Sequence, residues 1–437
     1  MEKVYTPTQS PMVQDDWWNM FLDKSENLTK TLVLKNVFSN EDSDLLSNEI
    51  LTVIKHLCRL RTNKYGYRAF IDGKKTDEET LNYIFDNPPL DGEDVTDYAE
   101  RVFSNKEFGM IINGCEKFSD PLSRKLLKLI APLLEKKGIP LTGLSVHTFV
   151  GNYGYTPIGI HKDNRGENVI HFHLGPGGKE MYNWTDEVYE EINGKEKNED
   201  KKFEELIPYA EKYPFEKGDI YFMPWNKYHL GKTNGLSIGV TLWFNNPPRI
   251  KLFESIISSL SKQYMIPDEK TQEILEPTKD AYGQESFQEI MDLFKDEENL
   301  FDLPFLDLLK LLHDDLKLAL FSNAGWKTRT ISLSDESLYD VNDYLILENK
   351  TVKLVEPFKI YYRKSTNNSE IIIFARGSKL KFRYDKGIEA MLDLLNSGKK
   401  LNTVELLKAL PEQWPASAGL YILSLLYDKR AIELSNL

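Results

Sequence analysis

Apolar positions change their period along this chain. Through residues 1 to 140 they recur mostly at helical spacing, most clearly in "SDPLSRKLLKLIAPLLEKKG". There Leu122, Leu126, Leu127, Ile130, Leu133 and Leu134 fall on one face, Asp120 is placed to cap the helix, Pro121 suits its first position and Gly138 stops it. From 141 to 250 the pattern becomes short runs rich in β-branched and aromatic residues: "LSVHTFVGNY", "NVIHFHL", "KEMYNW", "GDIYFMP" and "GLSIGVTLWF". Gly, Pro and Asn turns separate them, which predicts an all-β barrel or sandwich. A charged insertion, "TDEVYEEINGKEKNEDKKFEELIPYAEKYPFEKG", reads as a solvated loop plus helix, with a lid over the barrel mouth as the sharper alternative. Residues 251 to 345 return to helical spacing in "KLFESIISSLSKQY", "ESFQEIMDLFK" and "PFLDLLKLLHDDLKLAL". Residues 346 to 437 give three strand-like runs, three helices and a closing "AIEL", the element order of a winged-helix module.

Composition narrows the class. A chain of 437 residues is too long for one ordinary core, and 41% hydrophobic with 12% aromatic residues is a globular balance. A net charge of -13 argues against non-specific binding to nucleic acid or anionic membrane. The C-terminal segment runs the other way, with 15 Lys/Arg against 10 Asp/Glu. No dense basic stripe marks a reading helix there, so a protein-contact or dimer-supporting module is favoured over nucleic-acid recognition. Cys58 and Cys115 offer neither a disulfide framework nor a Cys-rich zinc site, which makes a reduced, cytoplasmic protein the expectation. The N-terminus lacks the basic-then-apolar order of a signal peptide, and no apolar run suits a spanning helix.

Histidine distribution carries the chemistry. Five of seven histidines, His147, His161, His171, His173 and His229, fall in the predicted β-domain, while His313 sits beside two aspartates and reads as exposed or structural. Strand residues i and i+2 share a face, so His161 with Asp163, and His171 with His173, can each present a pair of ligands. A third element, "GDIYFMPWNKYH", has the G-D-x4-P-x4-H arrangement of the second motif of cupin and double-stranded β-helix proteins, ending at His229. Two ligand sets follow. His161, Asp163 and His229 would make the two-histidine, one-carboxylate facial triad of non-haem Fe(II) oxygenases. His171, His173 and His229, with Glu180, would suit a metal cupin. The first set is favoured, because the turn "TPIG" precedes "HKD" where a barrel mouth is expected and Glu180 lies far from the H-x-H pair. Buried, hydrogen-bonded histidines in a catalytically dead barrel are the bland alternative.

Residues 145 to 245, quoted in these motifs, resemble the JmjC-type branch of Fe(II)/2-oxoglutarate oxygenases, nearest the ribosomal-oxygenase-like protein hydroxylases. The resemblance implies an α+β chain. Its parts would be a helical N-terminal region (1–140), a double-stranded β-helix (cupin/jelly-roll) catalytic core (141–250), a helical segment that would support a homodimer (251–345) and a winged-helix-like domain (346–437). It implies His161, Asp163 and His229 as iron ligands and Fe(II) with 2-oxoglutarate as cofactors. Lys179 is the lysine that would take the co-substrate's distal carboxylate, since the stretch after His229 holds no arginine. Thr148, Asn152 and Tyr153 are further candidates to bond the co-substrate. His147, His171 and His173 are candidates to orient a ligand or contact substrate. The expected activity is hydroxylation of a peptide or protein side chain, with a precursor peptide as one substrate class. The rivals are a cupin enzyme that does not use 2-oxoglutarate and a non-catalytic binding protein.

Overall fold

A computed structural model describes residues 10–63, 66–104, 106–194, 203–265, 284–294, 300 and 302–435. The chain divides into two compact units, Met1–Pro247 with Gly325–Ile331, and Pro248–Ala324 with Ser332–Leu437.

The first unit mixes helices with a ten-stranded antiparallel sheet, consistent with a jelly-roll. Its strands are β1 (Leu32–Leu34), β2 (Tyr67–Ile71), β3 (Lys74–Lys75), β4 (Phe108–Asn113), β5 (Leu144–Gly151), β6 (His161–Lys162), β7 (Glu167–Trp184), β8 (Glu211–Phe215), β9 (Ile220–Met223) and β10 (Tyr228–Asn245). Their order is β1-β9-β7-β10-β5-β4-β2-β3, with β6 on β10 and β8 on β7. Residues before 140 therefore supply strands at both ends of the sheet, besides the helices α1 (Asp15–Lys24), α2 (Asn40–Leu60), α3 (Glu78–Asp86), α4 (Val95–Phe103) and α5 (Asp120–Lys137).

Helix α5 follows the apolar stripe, but its cap is one residue earlier than expected. Ser119 Oγ accepts from Leu122 N–H at 3.0 Å, and Asp120 becomes the first helical residue. Either side chain can fill an N-cap; here the extended backbone at Ser119 decides.

The two long strands hold the site. β7 and β10 are 18 residues each and pair from Trp184↔Tyr228 to Glu167↔Asn245. The sequence predicts two strands, "NVIHFHL" and "KEMYNW", with "GPGG" as a turn. In the structure one strand runs through all of it. The glycines serve close approach instead of reversal: a Cβ on Gly177 would lie 2.6 Å from Asn234 O, and one on Gly178 would lie 2.6 Å from the Glu216 carboxylate. The cross-strand ladder overrides the local turn signal, with one register shift from an extra residue on each strand.

The insertion after β7 forms α6 (Asp186–Asn193), two short 3-10 turns and β8; residues 195–202 of the proposed lid lie outside the described residues. Tyr189 of α6 stacks on Tyr228 with centroids 3.8 Å apart and is fully buried, so α6 is packed onto the sheet. The segment Gly325–Ile331, within the stretch expected to be helical, joins the β unit. Leu144 N donates to Gly325 O at 2.7 Å and Lys327 N to Leu144 O at 2.8 Å. The buried Glu116 accepts from Val146 N at 2.9 Å and from the Thr328 hydroxyl.

The second unit contains α7 (Arg249–Tyr264), α8 (Gln284–Met291), α9 (Phe305–Ser322), β11 (Thr351–Leu354), β12 (Tyr361–Lys364), β13 (Glu370–Ala375), β14 (Ser378–Arg383), α10 (Lys386–Asn396), β15 (Leu401–Asn402), α11 (Thr403–Leu407), α12 (Ala416–Asp428) and β16 (Ile432–Leu434). Two three-stranded sheets, β12-β13-β14 and β15-β11-β16, share a core with α10 and α12 through Ile371, Ile373, Met391, Leu392 and Leu423. Asp315 of α9 is 1% exposed and binds Arg363 at 2.5 and 2.9 Å and Lys379 at 2.8 Å. One buried carboxylate thus ties α9 to β12 and β14, and its charge is matched by two cations. His313 is partly exposed, with Nδ1 3.7 Å from Asp314. Among the described residues no helix is long and apolar enough to cross a membrane.

Candidate active site

Strand β6 is only two residues long, and its pairing sets the site. His161 lies directly opposite His229 in the β6–β10 register, and their ring centroids are 4.2 Å apart. Asp163 follows immediately after β6. One donor atom from each of His161, Asp163 and His229 lies within 4.8 Å of the others.

The hydrogen bonds leave the right atoms free. His161 Nδ1–H donates to Gly159 O at 3.0 Å, and His229 Nδ1–H donates to Lys227 O at 3.3 Å. With Nδ1 engaged, the lone pair of each imidazole is on Nε2. Asp163 Oδ2 is buried and has no hydrogen-bond partner. Burial, then the neighbouring His229, brings His161 down to about 4, and burial brings His229 down to about 4. Burial pushes the Asp163 carboxyl up to about 7. Two neutral imidazoles beside a carboxyl on the verge of ionising fit a divalent transition metal, with three coordination positions left over.

The same residues line a cavity of roughly 60 Å³. Lys179 lines it as well. Its side chain is 4% exposed, its Nζ donates to Tyr153 Oη at 3.3 Å, and it sits 5.1 Å from the Phe149 ring centroid. Among the described residues no carboxylate pairs with it. Gly231 on β10, paired with Met181, makes room: a Cβ there would lie 3.2 Å from Lys179 Cε and 2.8 Å from Thr156 Oγ1. A buried ammonium without an anion is costly, and an anion seated beside it would offset that cost.

No protein-family model matches the chain. No curated protein matches it either. Among solved structures it is similar to YcfD, a ribosomal oxygenase from Escherichia coli, at 15% identity and a TM-score of 0.47, over 96% of this chain and 98% of that one. YcfD in complex with cobalt and 2-oxoglutarate gives 14% identity and a TM-score of 0.46 over the same shares. A likeness of this size assigns no chemistry to the present residues.

The remaining candidates divide by strand face. The structure does not bring Thr148 and Asn152 into the cavity lining. Thr148 takes the Cys115 thiol at 3.2 Å, and Asn152 caps the β4 edge by accepting from Phe108 N at 2.8 Å. His147 stacks on Trp243, a lining residue, at 4.6 Å. His171 lines the cavity; its Nδ1 is 3.0 Å from Thr241 Oγ1 and its Nε2 is buried without a partner. His173 is turned to Gly177 O, 2.7 Å from Nε2, with Phe215 packed against both rings. His171 and His173 are not drawn into a cluster with His229, and Glu180 pairs with Lys212 at 2.8 Å. Thr156, Tyr221, Thr241 and Trp243 line the cavity without having been singled out from sequence. Alternation along β9 and β10 would have nominated the last three, had the inward face been known.

Proposed function

We propose that this protein is a JmjC-type Fe(II)- and 2-oxoglutarate-dependent oxygenase, built on a double-stranded β-helix, that hydroxylates a side chain of a peptide or protein. The observation that carries the reading is the coincidence, in one cavity, of a two-histidine, one-carboxylate donor set with a buried, anion-less lysine. His161, Asp163 and His229 would hold the metal through Nε2, a carboxylate oxygen and Nε2. Iron bound there supplies the coupling of two oxidations by O₂: 2-oxoglutarate to succinate and CO₂, and a substrate C–H to C–OH. Lys179 would anchor the distal carboxylate by a charge-assisted hydrogen bond, with Tyr153 fixing the ammonium. The carbonyls of Gly159 and Lys227 hold both imidazoles in the ligating tautomer. Apolar walls from Phe149, Met223 and Trp243 keep water from the reacting centre. The length of chain outside the barrel favours a macromolecular substrate, with the winged-helix-like C-terminal region as a gripping module.

Anaerobic addition of Fe(II) and 2-oxoglutarate tests this. Wild type should develop the weak visible charge-transfer band of a metal–oxo-acid chelate, and His161→Ala should not. Iron kept by His161→Ala but lost by His171→Ala would favour the cupin ligand set. A wild type that binds no metal would leave only a binding protein.

A further inference from the structure

Resting on that reading, we infer that His171 is a second anchor for the distal carboxylate, donating from Nε2 to the oxygen that Lys179 leaves free.

Three placements link His171 to Lys179 through Phe149. Gly239 of β10 pairs with Phe149 of β5, and the His171 ring lies over Gly239. A Cβ at position 239 would be 2.1 Å from His171 Cε1 and 2.7 Å from Nε2, so the glycine is what lets the imidazole lie there. Lys179 Nζ stands 5.1 Å from the centroid of that same Phe149 ring. His171 and Lys179 are eight positions apart on β7, yet the run through "GPGG" returns both to one cavity wall.

The hydrogen bonds of the ring allow a free donor at the cavity. Burial and the nearby Lys179 ammonium hold His171 well below its ordinary value, so the ring is neutral and carries one N–H. Nδ1 is 3.0 Å from Thr241 Oγ1, whose hydroxyl can donate to it. In the tautomer that accepts from the Thr241 hydroxyl, the ring proton is on Nε2, which is buried and has no partner. An orphaned buried donor costs free energy until a ligand satisfies it. A carboxylate seated on Lys179 offers one oxygen to the ammonium and the other to His171. His171 and Lys179 would then read the length and the charge of the oxo acid together, while His161, Asp163 and His229 hold its other end through the metal.

Equilibrium binding in the Fe(II)-loaded protein under anaerobic conditions tests this, with the chelate band as readout. Two ligands are titrated, 2-oxoglutarate and 2-oxopentanoate, which has the same chain length without the distal carboxylate. His171→Phe should weaken 2-oxoglutarate about tenfold or more, the loss expected for one hydrogen bond to a charged acceptor. It should leave 2-oxopentanoate and Fe(II) affinity as in wild type, and His171→Gln, which keeps a donor, should recover most of the loss. A His171→Phe protein that binds 2-oxoglutarate like wild type while Lys179→Ala does not would overturn the inference and leave the oxygenase reading intact. Equal weakening of both oxo acids would overturn it as well, by showing a change of shape. A wild type with no chelate band would remove the oxygenase reading and this inference with it.

Discussion

His161 and His229 face each other across a two-residue strand, 4.2 Å between ring centroids, each with Nδ1 on a carbonyl two residues before it in its own chain segment. That relationship leaves both Nε2 atoms as bare lone pairs beside a partnerless carboxylate oxygen. A divalent metal should therefore stabilise the fold. At free Mn(II) about 100 times its Kd the gain should be about 2.7 kcal/mol. Thermal melts with and without Mn(II) measure it. The shift should disappear in His229→Ala and Asp163→Ala, and a shift of unchanged size in both would remove the triad as the site.

Metal affinity should rise with pH between 6 and 8. Asp163, pushed up to about 7 by burial, must lose its proton to ligate. His161 and His229, held near 4, are already neutral across that window. Below about pH 7 each unit of pH should therefore tighten Mn(II) binding by roughly tenfold, with near one proton released, and above it the curve should flatten. Calorimetry in buffers of different ionisation enthalpy counts the proton. Asp163→Asn should flatten the whole profile.

Lys179 is expected to exchange stability for function. Lys179→Met removes a 4% exposed ammonium that no carboxylate pairs among the described residues, so the ligand-free protein should gain about 1–3 kcal/mol in urea unfolding. The same variant should lose 2-oxoglutarate binding. Gly231→Ala, whose new Cβ would press on Lys179 Cε and Thr156 Oγ1, should weaken 2-oxoglutarate by roughly tenfold while Mn(II) affinity stays near wild type. Loss of stability in Lys179→Met would mean that the ammonium already has a partner.

Acid should destabilise the first unit partly through His173. Its ring is fully buried, and burial brings it down to about 4. Between that value and about 6.5 the unfolded chain binds the proton and the folded one does not, so stability is intact above 6.5 and falls as pH drops towards 4. At pH 5 the cost should be about 2 kcal/mol relative to pH 7. Urea unfolding at both values should show it, and His173→Gln should remove that part of the difference.

Helix α5 was legible in the sequence because its signals are local: an apolar stripe, a serine or aspartate cap, and Gly138 with φ at +78°. The strands β5, β9 and β13 were legible for the same reason, and so were the H-x-D pair and the distal histidine at the end of a G-D-x4-P-x4-H run. Spacing along the chain puts these side chains on known faces of their own elements.

Both histidine pairs satisfy strand alternation equally, and the tertiary structure is what brings His161 and Asp163 within 4.8 Å of a donor atom on His229. The β6–β10 register placed His161 against His229, and the β7–β10 ladder, with its two register shifts, put His171 and Lys179 in the lining of one cavity. That ladder also turned "GPGG" from an expected turn into a stretch of continuous strand. The pairing of β5 with β10 and β4 placed Thr148 on the far face, and tertiary contacts brought residues 325–331 back to the β unit. Local propensity sets what a segment can be; which face looks inward is set by partners distant in sequence, whose contacts no local pattern encodes.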